Sequence, residues 1–294
     1  MKENDILYSC VRPYQNNNVV FKFSGKYVAS TGFAQIRYKY PYYLIGYFSS
    51  PRFSRDVIVR STGSSYPAIN GDDLSKIKIY IPLDEEQDKI SIFLQLVDKK
   101  IDLIESKLVT LKKYKRGYAI SNIKSLYIND KIPLSKLCEI TTGKLDANAM
   151  IDNGKYKFFT CAKEDYLIDY YAFDCEALLI SGNGEVGLTK YYYGKFNAYQ
   201  RTYVLHDFKM NPKFIKMCID SQIKSIIKKE TNKGAMPYIK LSTFDKIFIP
   251  IIDTKNEEIL VKNITILDKK IELLECTLKT LNLLKKQLLN SMFI

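Results

Sequence analysis

The sequence predicts an α+β protein laid out as a tandem repeat: two mixed, mainly antiparallel domains separated by an antiparallel coiled coil of two long helices, the halves related by a pseudo-two-fold axis. Three observations carry that prediction. A block of sequence recurs after 170 residues. Each copy ends in a long segment whose apolar residues alternate in steps of four and three. Short apolar runs broken by Gly, Asn and Asp fill the stretches between.

The repeat is anchored by Asp98-Lys-Lys-Ile101, which returns as Asp268-Lys-Lys-Ile271. At the same offset Tyr66-Pro67-Ala68-Ile69 matches Met236-Pro237-Tyr238-Ile239, and each copy runs into a short apolar strand closed by proline, at Pro82 and Pro250.

Along the chain, Ile6 to Ser9 and Ala34 to Tyr38 read as strands, and a helix follows Pro41. Ile90, Leu94, Val97, Ile101, Ile104, Leu108, Leu111 and Tyr118 then hold a 3.5-residue period, which predicts a coiled-coil helix of about 35 residues, roughly 50 Å long. In the second unit, Ile132 to Ile140, Lys157 to Cys161, Ala177 to Ser181 and Thr202 to Leu205 read as strands. Asn211-Pro212 opens a helix through about Ile227, with Asn as its cap and Pro at its first position. Leu260, Ile264, Leu267, Ile271, Leu274, Leu278, Leu281 and Leu288 repeat the long-helix lattice. The resulting segments are 1–82, a first globular domain; 83–122, a first long helix; 123–250, a second globular domain; and 251–294, a second long helix.

The repeat is unequal. Asp5-Ile-Leu-Tyr-Ser9 aligns with Ala177-Leu-Leu-Ile-Ser181, so the first unit has no counterpart of roughly Leu126 to Cys175. Either the start of that domain has been lost or another chain supplies it, which leaves self-association open.

Forty-five Lys and Arg against 32 Asp and Glu give a formal charge of +13, favouring a polyanionic partner such as nucleic acid. Two globular units at the ends of an antiparallel helix pair match the two-fold symmetry of B-DNA, so two readers and a ruler predict a split target with an unread spacer. The six cysteines (Cys10, Cys138, Cys161, Cys175, Cys218, Cys276) form no Cys-x-x-Cys pair, and His206 is the only histidine, which argues against a zinc site. The polar N-terminus does not resemble a signal peptide and no apolar run reaches the roughly 18 residues of a membrane span, so a reducing cytoplasm fits.

Several motifs point elsewhere at first sight. Gly182-Asn-Gly184-Glu-Val-Gly187 matches G-x-G-x-x-G, but Leu188 to Tyr193 after it reads as strand rather than as the helix that would hold a pyrophosphate. A tight turn presenting backbone near DNA is the better reading. Asn211-Pro-Lys-Phe214 is similar to a methyltransferase N-P-P-F/Y loop with Lys213 in place of the second proline, and reads as a helix cap. No phosphate-binding loop and no carboxylate-carboxylate-lysine cluster stands out, so catalytic residues, metal and cofactor are each expected to be none. Tyr191 to Tyr193 at period two read as strand packing.

At DILYSCVRPY from Asp5, YVASTGFAQIR from Tyr27, YPAIN from Tyr66 and IPLDEEQDKISIFLQLVDKKID from Ile81, the chain resembles the specificity subunits of type I restriction-modification systems. The helix entry Pro82, Glu85, Glu86, Gln87 carries much of the resemblance; the second copy, Pro250 to Glu258, lacks the Gln. The resemblance implies two target recognition domains joined by an antiparallel helix pair, double-stranded DNA as ligand, methyltransferase subunits docked on the helices and a translocase-nuclease joining for cleavage. The first recognition domain is short for the family.

Reading a base sequence needs donors that reach base edges, Arg for guanine or Asn and Gln for adenine. The second unit offers Asn183, Lys190, Lys195, Gln200 and Arg201, with Asn232 and Lys233 in the loop Thr231 to Gly234; the first offers Arg12, Lys26, Arg37 and Arg60. Each taken singly reads as readily as a solvated surface charge. As a group, basic residues interleaved with Gly and aromatic turns read as a phosphate-tracking face. The charged helix faces (Lys99, Lys100, Lys112, Lys113, Lys269, Lys270) read by default as solubilising. Two rival classes remain: a stand-alone DNA methyltransferase or nuclease, which would bind methyl donor or cut DNA by itself, and a structural coiled-coil protein, which would show no salt-dependent DNA binding.

Overall fold

The structure, a computed structural model, describes residues 1–126, 130–231 and 236–293. It divides into two compact units, Met1–Thr110 with Ile271–Ile294, and Leu111–Lys270.

In the first unit β1 (Ile6–Ser9) is the centre of a three-stranded antiparallel sheet, between β2 (Val19–Val20) and β3 (Phe33–Ile36). Alternation along β1 sends Ile6 and Tyr8 to one face, where they are buried with Tyr43, Tyr47, Phe48 and Phe53. Those residues come from α1 (Pro41–Phe48) and α2 (Pro51–Arg60). Pro51 has no N–H to continue α1, and the Ser50 side chain accepts from Phe53 N at 3.3 Å to start a new helix. A short α3 (Gly71–Ser75) follows, capped by Asn70.

Both long helices form and exceed the expected 35 residues: α4 (Asp84–Leu126) has 43 and α6 (Thr254–Met292) has 39, each about 60 Å at 1.5 Å per residue. Neither contains proline, Asp84, Glu85 and Glu86 favour the N-terminus of α4, and Asp253 accepts from Asn256 N at 3.0 Å to cap α6. Each unit receives a piece of both helices, running antiparallel. In the first unit Lys285 meets Asp98 at 2.5 Å, and Phe293 and Leu94 both close on Gly46. In the second, Lys115 pairs with Asp268 and Asn263 Nδ2 donates to the Tyr118 hydroxyl at 2.8 Å.

The second unit is built on a six-stranded sheet, β5 (Glu139–Thr142), β10 (Thr202–His206), β8 (Phe173–Ser181), β9 (Thr189–Ala198), β6 (Tyr156–Phe159) and β7 (Tyr166–Ile168) in spatial order, with β6 and β9 parallel and the rest antiparallel. The sheet has to curl. Phe173 lies opposite Phe196 and Ser181 opposite Thr202, so a flat sheet would separate Ala198 from Thr202 by about 30 Å. Four Cα–Cα steps reach at most about 15 Å. Inside the curl pack Phe159, Ala177, Leu179, Phe196, Ala198 and Val204. The opposite face carries Leu178, Ile180 and Leu205 against α5 (Pro212–Glu230) and the helix segments.

The strand expected from Ile132 to Ile140 is two strands, β4 (Lys131–Pro133) and β5, separated by a 3-10 turn at Leu134–Lys136. Pro133 cannot extend the ladder, and the turn sends Leu134 and Leu137 into the core. β4 pairs with β11 (Phe248–Pro250), the apolar run before the second long helix. The first copy of that run, 77–82, forms no strand, because among the described residues nothing pairs with it.

Two backbone bonds in each unit match the repeat alignment. Ile69 N donates to Cys10 O at 3.0 Å and Cys10 N to Gly32 O at 2.9 Å; in the second unit Ile239 N donates to Gly182 O and Gly182 N to Arg201 O, both at 2.9 Å. Gly32 therefore occupies the place of Arg201.

Candidate nucleic-acid interface

The loops at the Gly182 end of the curled sheet are fixed by their own backbone. Gly182 N donates to Arg201 O, Glu185 N to Cys161 O at 3.1 Å, Gly187 N to Ser181 O at 2.9 Å, and Gln200 N to Leu145 O at 2.8 Å. The Thr202 hydroxyl donates to Phe159 O and the Cys161 thiol to Arg201 O at 3.2 Å. Glycine is required at two of these crossings: a Cβ on Gly182 would stand 2.6 Å from Arg201 O, and one on Gly143 would stand 1.9 Å from Ala198 O. The G-x-G-x-x-G run is thus a turn into β9, with Gly184 and Gly187 at positive φ, as its sequence context indicated.

From this frame project Asn183, half-buried, and Gln200 and Arg201, both exposed. None of the three side chains has a hydrogen-bonding or ionic partner among the described residues. Lys144 and Lys163, exposed and likewise without partners among the described residues, lie on the same loops. Sequence reading missed both, because their nearness to Arg201 depends on the Leu145–Gln200 and Cys161–Arg201 contacts.

Other candidates are engaged elsewhere. Lys190 ties down the loop 162–165, donating to Ala162 O at 3.1 Å, Glu164 O at 3.2 Å and Asp165 Oδ1 at 2.8 Å. Lys195 lies over the Tyr171 ring at 4.7 Å and 4.0 Å from Asp174, in the register pair at the end of the β8–β9 ladder away from Gly182. Asn232 and Lys233 lie outside the described residues.

In the first unit Arg12, at positive φ in the turn after β1, sets its guanidinium over the Tyr66 ring at 4.2 Å. Lys26 is exposed with no partner among the described residues. Arg60 donates to Asp56 O at 2.9 Å in the last turn of α2. Arg37 is committed to Asp5, a fully buried carboxylate that also accepts from Lys2 N at 2.6 Å and Gln35 Nε2 at 2.5 Å. The Arg37 hydrogen bond, opposed by burial, holds the Asp5 carboxyl well below the usual carboxylate range. Of the four candidates in the first unit, Arg37 and Arg60 are thus engaged within the protein, Arg12 stacks on Tyr66, and Lys26 has no partner among the described residues.

Burial pushes the Cys138 thiol up to about 12 and raises Cys218 further, so neither suits a thiolate role. Glu139, His206 and Asp207 bring one ligand atom each within 4.8 Å of one another, across the His206–Glu139 register pair, and are the described residues that could hold a metal ion. The sequence reading, which followed cysteine spacing, missed this grouping. No helix among the described residues is long and apolar enough to cross a membrane.

Comparison with known proteins agrees with this geometry. The family model described as type I restriction modification DNA specificity domain matches residues 1–113 and 129–283. The specificity subunit of the type I restriction enzyme EcoDI from Escherichia coli is 36% identical over 142 residues, which cover 48% of this chain but only 31% of that relative's length. The S subunit of a type I restriction-modification system from M. genitalium superposes with a TM-score of 0.72 at 15% identity, over 100% of this chain and 84% of that one. A structure described for complex assembly and conformational transition of the type I R-M system gives 0.54 at 15% identity, over 100% and 82%. At such identities the likeness is one of fold.

Proposed function

Because the chain belongs to the family of type I restriction-modification DNA specificity domains, we propose that it reads double-stranded DNA at a bipartite site and directs methyltransferase subunits, with a translocase-nuclease where present, to that site in the cytoplasm. Segments 1–82 and 123–250 act as recognition domains, and the long helices are the spacer and dock. The observation that carries the reading is the side chains of Gln200 and Arg201, exposed and unpartnered among the described residues on a turn whose backbone is bonded on both sides. Exposed donors carried on a fixed backbone can reach base edges, and each good pair discriminates by about 1–3 kcal/mol. Asn183, Lys144 and Lys163 add base or phosphate contacts beside them.

The helices supply a surface for partners. Outside the seam, Leu96 and Leu103 of α4 are 60% and 62% exposed, and Leu273 of α6 is 68% exposed. Leu103 and Leu273 are repeat equivalents, as are Leu96 and the exposed Ile266, so the two helices offer matching apolar positions.

The test is to co-express the chain with the methyltransferase encoded beside it and map modified bases in host DNA by single-molecule sequencing. A split motif with a fixed spacer supports two working readers. A symmetric motif would mean that paired copies each use one reader, and a stable complex that modifies no site would overturn the proposal. Cleavage or methyl-donor binding by the purified chain would favour a stand-alone enzyme, and the absence of salt-dependent DNA binding a structural protein.

A further inference from the structure

Each unit crosses two chain segments at the same place and sets one arginine there, on opposite members of the crossing. In the second unit the segments are the turn after β8, with Gly182 and Gly184, and the turn before β10, with Arg201. In the first they are the turn after β1, with Cys10 and Arg12, and the turn before β3, with Gly32. Gly182 N bonding to Arg201 O and Cys10 N bonding to Gly32 O fix the equivalence. Two residues beyond Gly182 and Cys10 stand Gly184 and Arg12, both left-handed, at φ 59° and 49°. The pair is therefore exchanged: glycine then arginine in the second unit, arginine then glycine in the first.

Left-handed backbone suits Gly184 and strains Arg12, all the more because a residue before proline favours extended backbone and Pro13 follows. Outliers of this kind gather at ligand-binding places, where the surroundings hold them. Here Arg12 N donates to Pro67 O at 2.8 Å, which seats the residue beside Tyr66, and the guanidinium lies over the Tyr66 ring at 4.2 Å. Tyr66 is 65% exposed, so the stack is at the surface. Stacking occupies the face of the guanidinium and leaves its in-plane N–H donors free, and among the described residues none of them has a hydrogen-bonding or ionic partner. The aromatic accompanies the arginine: the repeat counterpart of Tyr66 is Met236, in the unit where position 184 has no side chain to hold.

We propose that Arg12, held flat by Tyr66, is the base reader of the first unit, and that it takes a guanine by a two-pronged contact in that unit's half of the split site. It does from the β1 side of the crossing what Arg201 does from the other side in the second unit.

This inference rests on the DNA-reading proposal, and the experiment separates the two. Parent and variant full-length chains are co-expressed with the methyltransferase encoded beside them, modified bases in host DNA are mapped, and the melting temperature of each purified chain is measured. In Arg12→Gly the melting temperature should hold or rise, because glycine takes the left-handed backbone without strain. Preference for guanine at one position of one half-site should fall about 5- to 150-fold, with the other half-site kept. Arg12→Asn, which also tolerates this backbone, should lose the same preference, and Tyr66→Met, which copies the second unit, should lose part of it. A motif left intact by Arg12→Gly and Arg12→Asn overturns this inference alone. So does equal weakening at every site, which would make Arg12 a phosphate contact, or a lowered melting temperature in Arg12→Gly, which would make it structural. A parent complex that modifies no site overturns the DNA-reading proposal and this inference with it.

Discussion

Arg37 and Asp5 form a bidentate pair in which only the carboxylate is buried: Nε donates to Oδ1 at 2.7 Å and Nη2 to Oδ2 at 2.9 Å, with Asp5 fully inaccessible and the Arg37 side chain 57% exposed. The pair anchors β1 to the residue that follows β3.

Its pH signature has a defined sign. With Arg37 in place the Asp5 carboxyl is depressed, so its contribution to stability is present above the ordinary carboxylate value near 4 and is lost as pH falls through the lower folded value. In Arg37→Met, burial becomes the dominant influence and the carboxyl rises. Melting temperature should then increase with pH between about 2 and 5 for the parent and decrease between about 4 and 7 for the variant. Parallel melting curves would show that Lys2 N–H and Gln35 suffice.

Arg201→Ala should leave the melting temperature unchanged, since the guanidinium has no protein partner among the described residues to lose. Discrimination at one base pair should fall by about 1–3 kcal/mol, with weaker change at other positions. Equal loss on every duplex would make Arg201 a phosphate contact. Lys190→Ala is the contrasting case: freeing the loop 162–165 should lower stability and affinity together.

Lys115–Asp268 and Lys285–Asp98 occupy the same repeat positions, one in each unit. Both pairs are partly exposed, so Lys115→Glu should cost about 0.2–1 kcal/mol, and Lys115→Glu with Asp268→Lys should restore most of it. Denaturant unfolding of the four members of the cycle gives the coupling energy. A zero coupling would mean that the apolar seam alone sets register.

Two glycines should rank in a defined order. A Cβ on Gly46 would meet the flexible Leu94 Cδ1 at 2.5 Å, whereas one on Gly143 meets the Ala198 carbonyl at 1.9 Å. Gly46→Ala should cost about 1–3 kcal/mol, in the range of overpacking, and Gly143→Ala more, because a backbone oxygen cannot step aside. Urea unfolding midpoints test the order.

Much of the fold was legible because its signals are periodic. The seam of α4 and α6 was read residue by residue, and the strands Ile6 to Ser9 and Thr202 to Leu205 were placed to within a residue. The miss at Ile132 to Ile140 came from reading apolar content through Pro133, which ends one ladder before another begins. α2 was not foreseen, because Pro51 replaces the residue that lets α5 run on as one helix. At the candidate site, Asn183, Gln200 and Arg201 were named from residue type, but Lys190 and Arg37 were named by the same reasoning and are bound internally.

What the sequence by itself determined is the repeat, the two long helices and the basic charge, because these rest on local periodicity and composition, which need no knowledge of the rest of the chain. Only the tertiary structure decided which cations remain free. Whether a side chain is spent inside the protein depends on partners far along the chain, Asp165 for Lys190 and Asp5 for Arg37. The curl of the sheet, which brings Leu145, Cys161, Gly182 and Arg201 to one place, is a property of strand register and not of any segment alone.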